Sequence, residues 1–154
     1  MKVEEIEHRI KVLEDIEAIK KLRATYCYLV DAEKWDELYT HFTGKARLDF
    51  GPFGSFEGRE GLKNFFGGVV AGSLSFAMHM VHDPIIEVKG DRATGTWYFE
   101  VPSTARAENR ATWIAGTYEE EYLIEGGEWK FDFIKAKFNY VTPYDEGWVK
   151  TPGI

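Results

Sequence analysis

The hydrophobic period of this chain changes once along its length, and that change limits the folds open to it. Over residues 4–30, apolar side chains recur every three or four positions, and no Pro or Gly interrupts them. This spacing predicts one long helix or two helices end to end, and KWDELYTHF predicts a further short helix. The periodic positions are Ile6, Ile10, Leu13, Ile16, Ile19, Leu22, Tyr26 and Leu29.

From Ser73 onward the sequence favours strands. RATGTWYFEVP, ATWIAGTYEEEYLI and WKFDFIKAKFNYV are rich in β-branched and aromatic residues, and KGD and EGGE are turn signals. The run SFAMHMVH predicts another strand, which Asp83 and Pro84 should end. Before these strands, ARLDFGPFGSFEG indicates a strand with a turn, and GREGLKNFFGGVVAG indicates a helix that Gly67 and Gly68 weaken.

Helices followed by a run of strands predict an α+β fold with the helices on one face of a curved sheet. We expect a cone-shaped antiparallel or mixed β-sheet, with the N-terminal helices closing an apolar pocket. The open end of such a cone suits a small apolar ligand. Because the 154 residues contain no repeat and no linker, residues 1–154 are predicted to form one domain. An irregular C-terminal tail should begin at about residue 143.

Composition narrows the classes of partner. The net charge of −7 disfavours nucleic acid and anionic membranes. The one cysteine, Cys27, excludes an internal disulfide and a cysteine-based metal cluster, and its helical surroundings indicate a small buried apolar group. No apolar leader and no run of about 18 apolar residues is present, so we expect a cytoplasmic protein without a membrane partner. Aromatic residues make up 16%, which predicts a large core or a ring-lined pocket.

Two of the four histidines lie three residues apart in SFAMHMVHDPII. In a helix this spacing would let His79 and His82 share a metal, but in a strand it directs them to opposite faces. We therefore predict no metal site here, and nothing else in the sequence requires a metal or a cofactor. Both residues are otherwise interpreted as ordinary half-buried histidines.

His79 is the better candidate for a cavity. It shares its predicted face with Ala77 and Val81, whose small side chains leave space in front of an imidazole. The face of His82 carries the bulky Phe76, Met78 and Met80.

Asp31 and Tyr26 are the candidate partners of His79. Asp31 ends the apolar run TYCYLVD, where it is either a partner for the imidazole or a helix cap or loop charge. Tyr26 lies about 140° from Asp31 around an ideal helix, so a bend near Asp31 would be needed to bring both to one cavity. A tyrosine on an apolar stripe of a helix is also a normal core residue. Five aromatic residues are candidates for the pocket wall or for plain core: Trp97, Trp113, Tyr118, Phe138 and Tyr140.

Several stretches taken together resemble a known family. They are DIEAIKKLRATYCYLVDAEKWDEL, MHMVHDPIIEV, ATGTWYFE, GGEWKF and the ending NYVTP with TPGI, and they cover nearly the whole chain. In their order and spacing the chain resembles the SnoaL-like branch of the nuclear transport factor 2-like superfamily. Within that branch it is similar to the bile acid 7α-dehydratase, scytalone dehydratase and hexachlorocyclohexane dehydrochlorinase families. The resemblance implies a cone-shaped α+β barrel and a homo-oligomer, with a trimer favoured.

The resemblance also implies roles for single residues. The family's catalytic aspartate and histidine fall on Asp31 and His79, in agreement with the argument from strand faces. Tyr26 occupies the position of a catalytic tyrosine in the bile acid enzyme and of a lysine in the dehydrochlorinase. The positions of the specificity residues of these three enzymes hold other side chains here: Phe50, Val101, Ser103, Tyr118, Ile134 and Phe138. The chain therefore keeps the Asp–His pair without any of the three specificity sets.

These features predict a cofactor-free lyase of the dehydratase type, or an isomerase, acting on a cyclic and largely apolar molecule such as an aromatic or steroid-like compound. His79 would remove a proton from carbon, Asp31 would hold the imidazole in one tautomer, and Tyr26 would donate a hydrogen bond or a proton to oxygen. The alternative is a non-catalytic small-molecule-binding or association module of the same fold. A buried Asp31–His79 pair would favour the enzyme, because a binding module gains nothing from the desolvation that such a pair costs.

Overall fold

A single long helix precedes the sheet. The computed structural model describes residues 2–152, and helix α1 spans Val3–Asp31 without a break, which confirms the predicted helix and decides for one helix over two. Its buried residues begin at Asp15 and continue to Val30. Four apolar residues nearer its N-terminus are exposed, and these are Val3, Ile6, Ile10 and Leu13. Residue 1 and residues 153 and 154, which the predicted domain and the TPGI ending include, lie outside the described residues.

Short helices and strands follow, and long strands complete the chain. The elements are α2 (Trp35–Tyr39), β1 (Phe42–Asp49), a 3-10 turn (Gly51–Phe53), β2 (Ser55–Glu57), α3 (Gly58–Leu62), a π-helix (Lys63–Val70), α4 (Ala71–Ser73), β3 (Leu74–Ala77), β4 (Met80–Lys89), β5 (Arg92–Ala105), β6 (Arg110–Glu125), β7 (Glu128–Pro143) and α5 (Gly147–Lys150). The predicted strands and helices are thus present. The C-terminal tail contains a short helix after the turn that follows Pro143.

Two predicted boundaries were wrong. SFAMHMVH is not one strand, because β3 ends at Ala77 and β4 begins at Met80. Asp83 and Pro84 do not end a strand either, since β4 continues through them with a shift in register. Asp83 has a left-handed φ of 51° there. An irregular position of this kind tolerates proline, which has no N–H to give to the ladder.

Within residues 2–152, seven strands form one mixed sheet in the order β2-β1-β7-β6-β5-β3, and β4 also pairs with β5. Strands β1 and β7 run parallel, with Leu48 beside Ile134, and the other pairs are antiparallel. The sheet curls around the buried half of α1 as a half-barrel. The predicted α+β fold with a curved mixed sheet is therefore confirmed.

A bulge between β6 and β7 contributes to this curl. Ala115 pairs with Tyr140 but the next residue, Gly116, pairs with Phe138, so Asn139 is an extra residue on β7. Bulges of this kind bend a strand and increase its twist. The strands approach so closely that a Cβ on Gly116 would lie 2.0 Å from the backbone oxygen of Lys137. Only glycine fits this position.

The core lies between the helices and the concave face of the sheet. Residues from α1, α2, the π-helix and β7 have no exposed surface, and they are Ile19, Leu38, Phe66, Phe131 and Ile134. Cys27 is buried in the same core, as predicted. None of the helices within residues 2–152 has the length and hydropathy of a membrane span.

We expect Gly116→Ala to lower the free energy of unfolding by about 3 kcal/mol or more, because its methyl group would overlap the Lys137 backbone and the Phe99 ring. Gly44→Ala in β1 is the control, since nothing lies within 4 Å of a Cβ there and its effect should stay within about 0.5 kcal/mol. Urea unfolding measures both. Equal stabilities for the two variants would contradict the close approach.

Candidate active site

Asp31 and His79 form a hydrogen-bonded pair. Asp31 is the last residue of α1, and His79 lies in the break between β3 and β4. The His79 Nδ1 atom is 2.6 Å from Asp31 Oδ1, and the His79 backbone N–H donates to both carboxylate oxygens at 3.0 and 3.2 Å. The N–H of the preceding Met78 bonds to Pro102 on β5, and the His79 N–H is free for Asp31. The carboxylate therefore contacts both the backbone and the ring of His79.

This geometry selects one tautomer of His79. A carboxylate only accepts hydrogen bonds, so the Nδ1 atom beside Asp31 carries a proton. In the neutral ring the other nitrogen, Nε2, then has a free lone pair. Both side chains are partly shielded, with 12% of His79 and 25% of Asp31 exposed.

The two histidines lie on opposite faces, although His79 is in the break before β4 and not in one strand with His82. Ala77 and Val81, on either side of His79, pack against the core. His82 is on the outer face, where 44% of its side chain is exposed and its Nε2 lies 4.0 Å from Glu100. Among residues 2–152, no group of three or more His, Cys, Asp or Glu side chains is arranged to hold a metal ion.

His79 lines a cavity of about 100 Å³, called here the inner cavity. Its wall is mainly apolar and aromatic, and His79, Ser73 and Tyr118 are its polar members. Of the five predicted wall residues, Tyr118 and Phe138 line this cavity. The wall also includes Phe50, Phe65, Val70, Leu74, Phe99 and Val101.

The other three predicted wall residues lie elsewhere. Trp97 points inward but is deeper in the core, where its Nε1–H donates to the Tyr122 hydroxyl at 3.0 Å. Trp113 alternates with the cavity residue Ile114, so it faces outward. Tyr140 would share the face of Phe138 in a regular strand, but the bulge at Asn139 turns it outward, where it stacks on Trp148.

Tyr26 is a core residue behind His79. Only 2% of it is exposed, and its ring meets the His79 ring edge-on with a centroid separation of 6.4 Å. It is not among the residues that line the inner cavity. Burial raises the pKa of Tyr26 well above its ordinary value, so its hydroxyl stays protonated. Tyr26 and Asp31 therefore reach His79 from two sides without a bend in α1.

A buried ion pair beneath this site was not predicted. Arg23 on α1 and Glu120 on β6 have fully buried side chains, with Arg23 Nε 3.2 Å from Glu120 Oε1. The Arg23 guanidinium lies 4.0 Å from the ring centres of both Tyr26 and Tyr118. Glu120 also accepts a hydrogen bond from Tyr122, and burial raises the pKa of Glu120. Each charge had a signal in the sequence. Arg23 lies four residues after Ile19, on the buried side of α1. Glu120 alternates with two inward-facing tyrosines on β6.

The curled sheet with the long helix on its concave face has the fold of a nuclear transport factor 2-like protein. The sequence profile of the SnoaL-like domain matches residues 11–135. The chain belongs to the SnoaL-like family.

Solved structures with this fold include a dehydrochlorinase and a scytalone dehydratase-like protein. The hexachlorocyclohexane dehydrochlorinase LinA-type3 from Novosphingobium barchaimii is 25% identical, with a TM-score of 0.79 over 85% of this chain and 90% of that chain. A scytalone dehydratase-like protein from Novosphingobium aromaticivorans is 20% identical, with a TM-score of 0.78 over 86% of this chain and 89% of that one. A nuclear transport factor 2-like superfamily protein from Salmonella enterica is 18% identical, with a TM-score of 0.75 over 85% and 95% of the two chains.

Replacing Arg23 by Met should lower the free energy of unfolding by about 3–5 kcal/mol, because Glu120 would be left buried without its partner. Glu120→Gln should cost a similar amount by leaving the guanidinium unpaired, while the amide oxygen still accepts from Tyr122.

The double variant Arg23→Met/Glu120→Gln should lose clearly less than the sum of the single losses in urea unfolding. Strict additivity would show that the two charges do not stabilise each other.

Proposed function

We propose that this protein is a cofactor-free lyase or isomerase in which His79 removes a proton from a carbon atom next to a carbonyl group. The observation that carries the proposal is the hydrogen bond from His79 Nδ1 to Asp31, with the ring edge of His79 in the wall of an apolar cavity. A neutral imidazole held in one tautomer beside a ligand cavity is the arrangement of a general base.

The reaction follows from this tautomer. The Nε2 lone pair takes a proton from the substrate carbon, and the C–H electrons pass toward the carbonyl oxygen to form an enolate. The imidazolium then gives the proton to a leaving hydroxyl group, which departs as water, or returns it to another carbon, which is an isomerisation. Asp31 stabilises the imidazolium by its charge at 2.6 Å. A positioned base contributes about 10²–10⁴ in rate, which suits a carbon acid that a carbonyl already activates.

Tyr118 is the better donor for the substrate oxygen. It lines the inner cavity, and its ring is held between Phe99, with a centroid separation of 4.2 Å, and the Arg23 guanidinium. Burial raises the pKa of Tyr118, so the hydroxyl remains a donor and does not ionise. Tyr26, which the resemblance assigns as the donor, would instead keep the His79 ring in place from the core side.

The similar structures support an elimination. The names of the dehydrochlorinase and of the scytalone dehydratase-like protein both describe lyases. Their sequence identity to this chain is too low to assign either substrate to it. The Asp–His pair and the mostly apolar wall are the features of this chain that fit such chemistry.

Two assays test the proposal. The first follows the loss of water from 3-hydroxycyclohexanone by the ultraviolet absorbance of the enone product. The second follows deuterium exchange into cyclohexanone by NMR. Asp31→Asn and His79→Ala should each lower both rates by about 10²-fold or more, because the imidazolium loses its partner or the base is absent. His82→Gln, on the outer face, should keep both rates within about twofold.

Tyr118→Phe should slow enone formation and still bind cyclohexanone. If wild type and His79→Ala bind these ketones equally and neither accelerates exchange above buffer, the proposal fails and the chain is a binding module.

We also propose that the chain forms a homo-oligomer, with a trimer favoured. Two exposed apolar surfaces support a second copy as the occupant. One is the stripe on α1 formed by Val3, Ile6, Ile10 and Leu13. The other consists of exposed side chains in and just after β3 and on β5, namely Phe76, Met78 and Tyr98. Exposed apolar surface of this extent marks association sites in most proteins.

Light scattering at micromolar concentration should return about three times the chain mass of 17.7 kDa. Ile10→Glu, which changes an exposed residue, should reduce the mass and leave the circular dichroism unchanged, whereas Glu7→Gln on the same helix should not. A monomer mass for the wild type would contradict the proposal.

A further inference from the structure

A buried positive charge lies against Tyr118, the residue that we propose as the donor to the substrate oxygen. The Arg23 side chain on α1 has no exposed surface, and its guanidinium carbon is 4.0 Å from the ring centre of Tyr118. Tyr118 lines the inner cavity, whereas Arg23 is not among its lining residues. Arg23 therefore does not touch a ligand in that cavity, and an effect of its charge on a ligand passes through Tyr118.

A carboxylate on the same strand as Tyr118 holds this charge in place. Arg23 Nε is 3.2 Å from Glu120 Oε1. The other oxygen of Glu120 accepts a hydrogen bond from the Tyr122 hydroxyl, which accepts one from the Trp97 Nε1–H at 3.0 Å. These donors fix the carboxylate, and the carboxylate fixes the guanidinium beside the Tyr118 ring.

The contacts of Arg23 with phenol rings are better developed than its contact with the carboxylate. Arginine–carboxylate pairs are frequently bidentate, with two parallel N–H groups on two oxygens. Within residues 2–152, none of the three Arg23 nitrogen atoms has a well-aligned hydrogen bond, and only Nε approaches Glu120. The guanidinium carbon is nevertheless 4.0 Å from the ring centres of both Tyr26 and Tyr118. This geometry suits a cation that acts on the rings.

The charges around Tyr118 act on its hydroxyl in opposite directions. Burial raises the pKa of Tyr118, and of the two charged neighbours Arg23 lowers this pKa while Glu120 raises it. Burial alone would lower the pKa of Arg23, but the charge of Glu120 raises it, so the guanidinium stays charged. Tyr26 and Cys27 on α1 also face Tyr118, and their raised pKa values keep both protonated. Phenylalanine rings face Tyr118 from the other elements that it contacts.

We propose that Arg23 is a positioning residue that makes Tyr118 a stronger hydrogen-bond donor to the substrate oxygen. When the hydroxyl donates to an enolate oxygen, negative charge builds on the phenol oxygen, and the nearby guanidinium stabilises that charge away from water. Glu120 keeps the cation beside the ring and moderates its effect. The link to a substrate rests on the proposed function, whereas the effect of the charge on Tyr118 is a property of the free protein.

The charge effect is measured with 3,5-difluorotyrosine in place of Tyr118, because its phenol is more acidic than that of tyrosine and fluorine NMR follows its ionisation. Glu120→Gln removes the carboxylate and keeps the cation, so it should raise the acid dissociation constant of this phenol above the wild-type value. Arg23→Met/Glu120→Gln also removes the cation, and its constant should be at least about tenfold lower than that of Glu120→Gln. Since both variants lack the same carboxylate, their difference reports the guanidinium charge.

Arg47 offers a matched control on the neighbouring strand β1. It pairs with Glu121 at 3.4 Å and lies 4.6 Å from the ring centre of Phe133, but half of its side chain is exposed. Arg47→Met should leave the constant within about twofold of the wild type, because solvent screens an exposed charge. Arg23→Lys, which keeps a positive charge, should change the constant less than removal of the charge does. If the variants that remove Arg23 do not fold, the rise expected for Glu120→Gln decides the inference.

The enone assay tests whether the reaction uses this charge. Glu120→Gln should form the enone at least about threefold faster than Arg23→Met/Glu120→Gln, because part of the change in donor acidity appears in the rate. In the Tyr118→Phe background the two rates should be equal, since the cation then has no hydroxyl to act through. A merely structural role of Arg23 would lower the rate with or without that hydroxyl.

Equal acid dissociation constants in Glu120→Gln and the double variant, or shifts of the same sign from the wild type in both, would overturn the inference. A difference in enone rate that persists in the Tyr118→Phe background would also overturn it. The fluorine titration needs no turnover, so the two proposals fail separately. The expected titration shifts without His79-dependent turnover would refute the proposed function and support the effect of Arg23 on Tyr118.

Discussion

The buried ion pair between Arg23 and Glu120 connects the one long helix to the sheet. The first three turns of α1 are largely exposed, so the position of the helix depends on contacts made from Asp15 onward. Two charges without solvent are tolerated there because each neutralises the other, and because the guanidinium lies 4.0 Å from the ring centres of Tyr26 and Tyr118. The direction of α1 fixed in this way determines where its last residue, Asp31, meets the sheet.

That meeting point is also where the sheet is irregular. His79 is the second of two residues between β3 and β4, and its backbone N–H and ring nitrogen both bond to Asp31. The bond to Asp31 gives the imidazole a fixed tautomer and leaves the Nε2 lone pair free, and His79 lines the inner cavity. Local loss of regular structure is common where backbone groups serve a functional site.

Much of the site was predictable from sequence because it depends on alternation. The opposite faces of His79 and His82 follow from the extended backbone, and the small neighbours of His79 mark the inner face. The prediction was wrong at Tyr140, since one extra residue at Asn139 reverses every later side chain of β7. It missed Arg23 and Glu120, because a sequence does not show that two inward-facing charges 97 positions apart along the chain will meet.

The sequence by itself determined the α+β class, the long helix, the strands and the candidate residues Asp31 and His79, because these follow from hydrophobic period and from residue chemistry. Only the tertiary structure decided that the two residues bond, that Tyr26 lies behind the histidine, and that Tyr118 and Phe138 line the cavity while Trp97, Trp113 and Tyr140 do not. These facts depend on register shifts and on packing between distant segments. A single bulge changes which face of the sheet a residue occupies, and the local hydrophobic periodicity of the sequence does not show where a bulge lies.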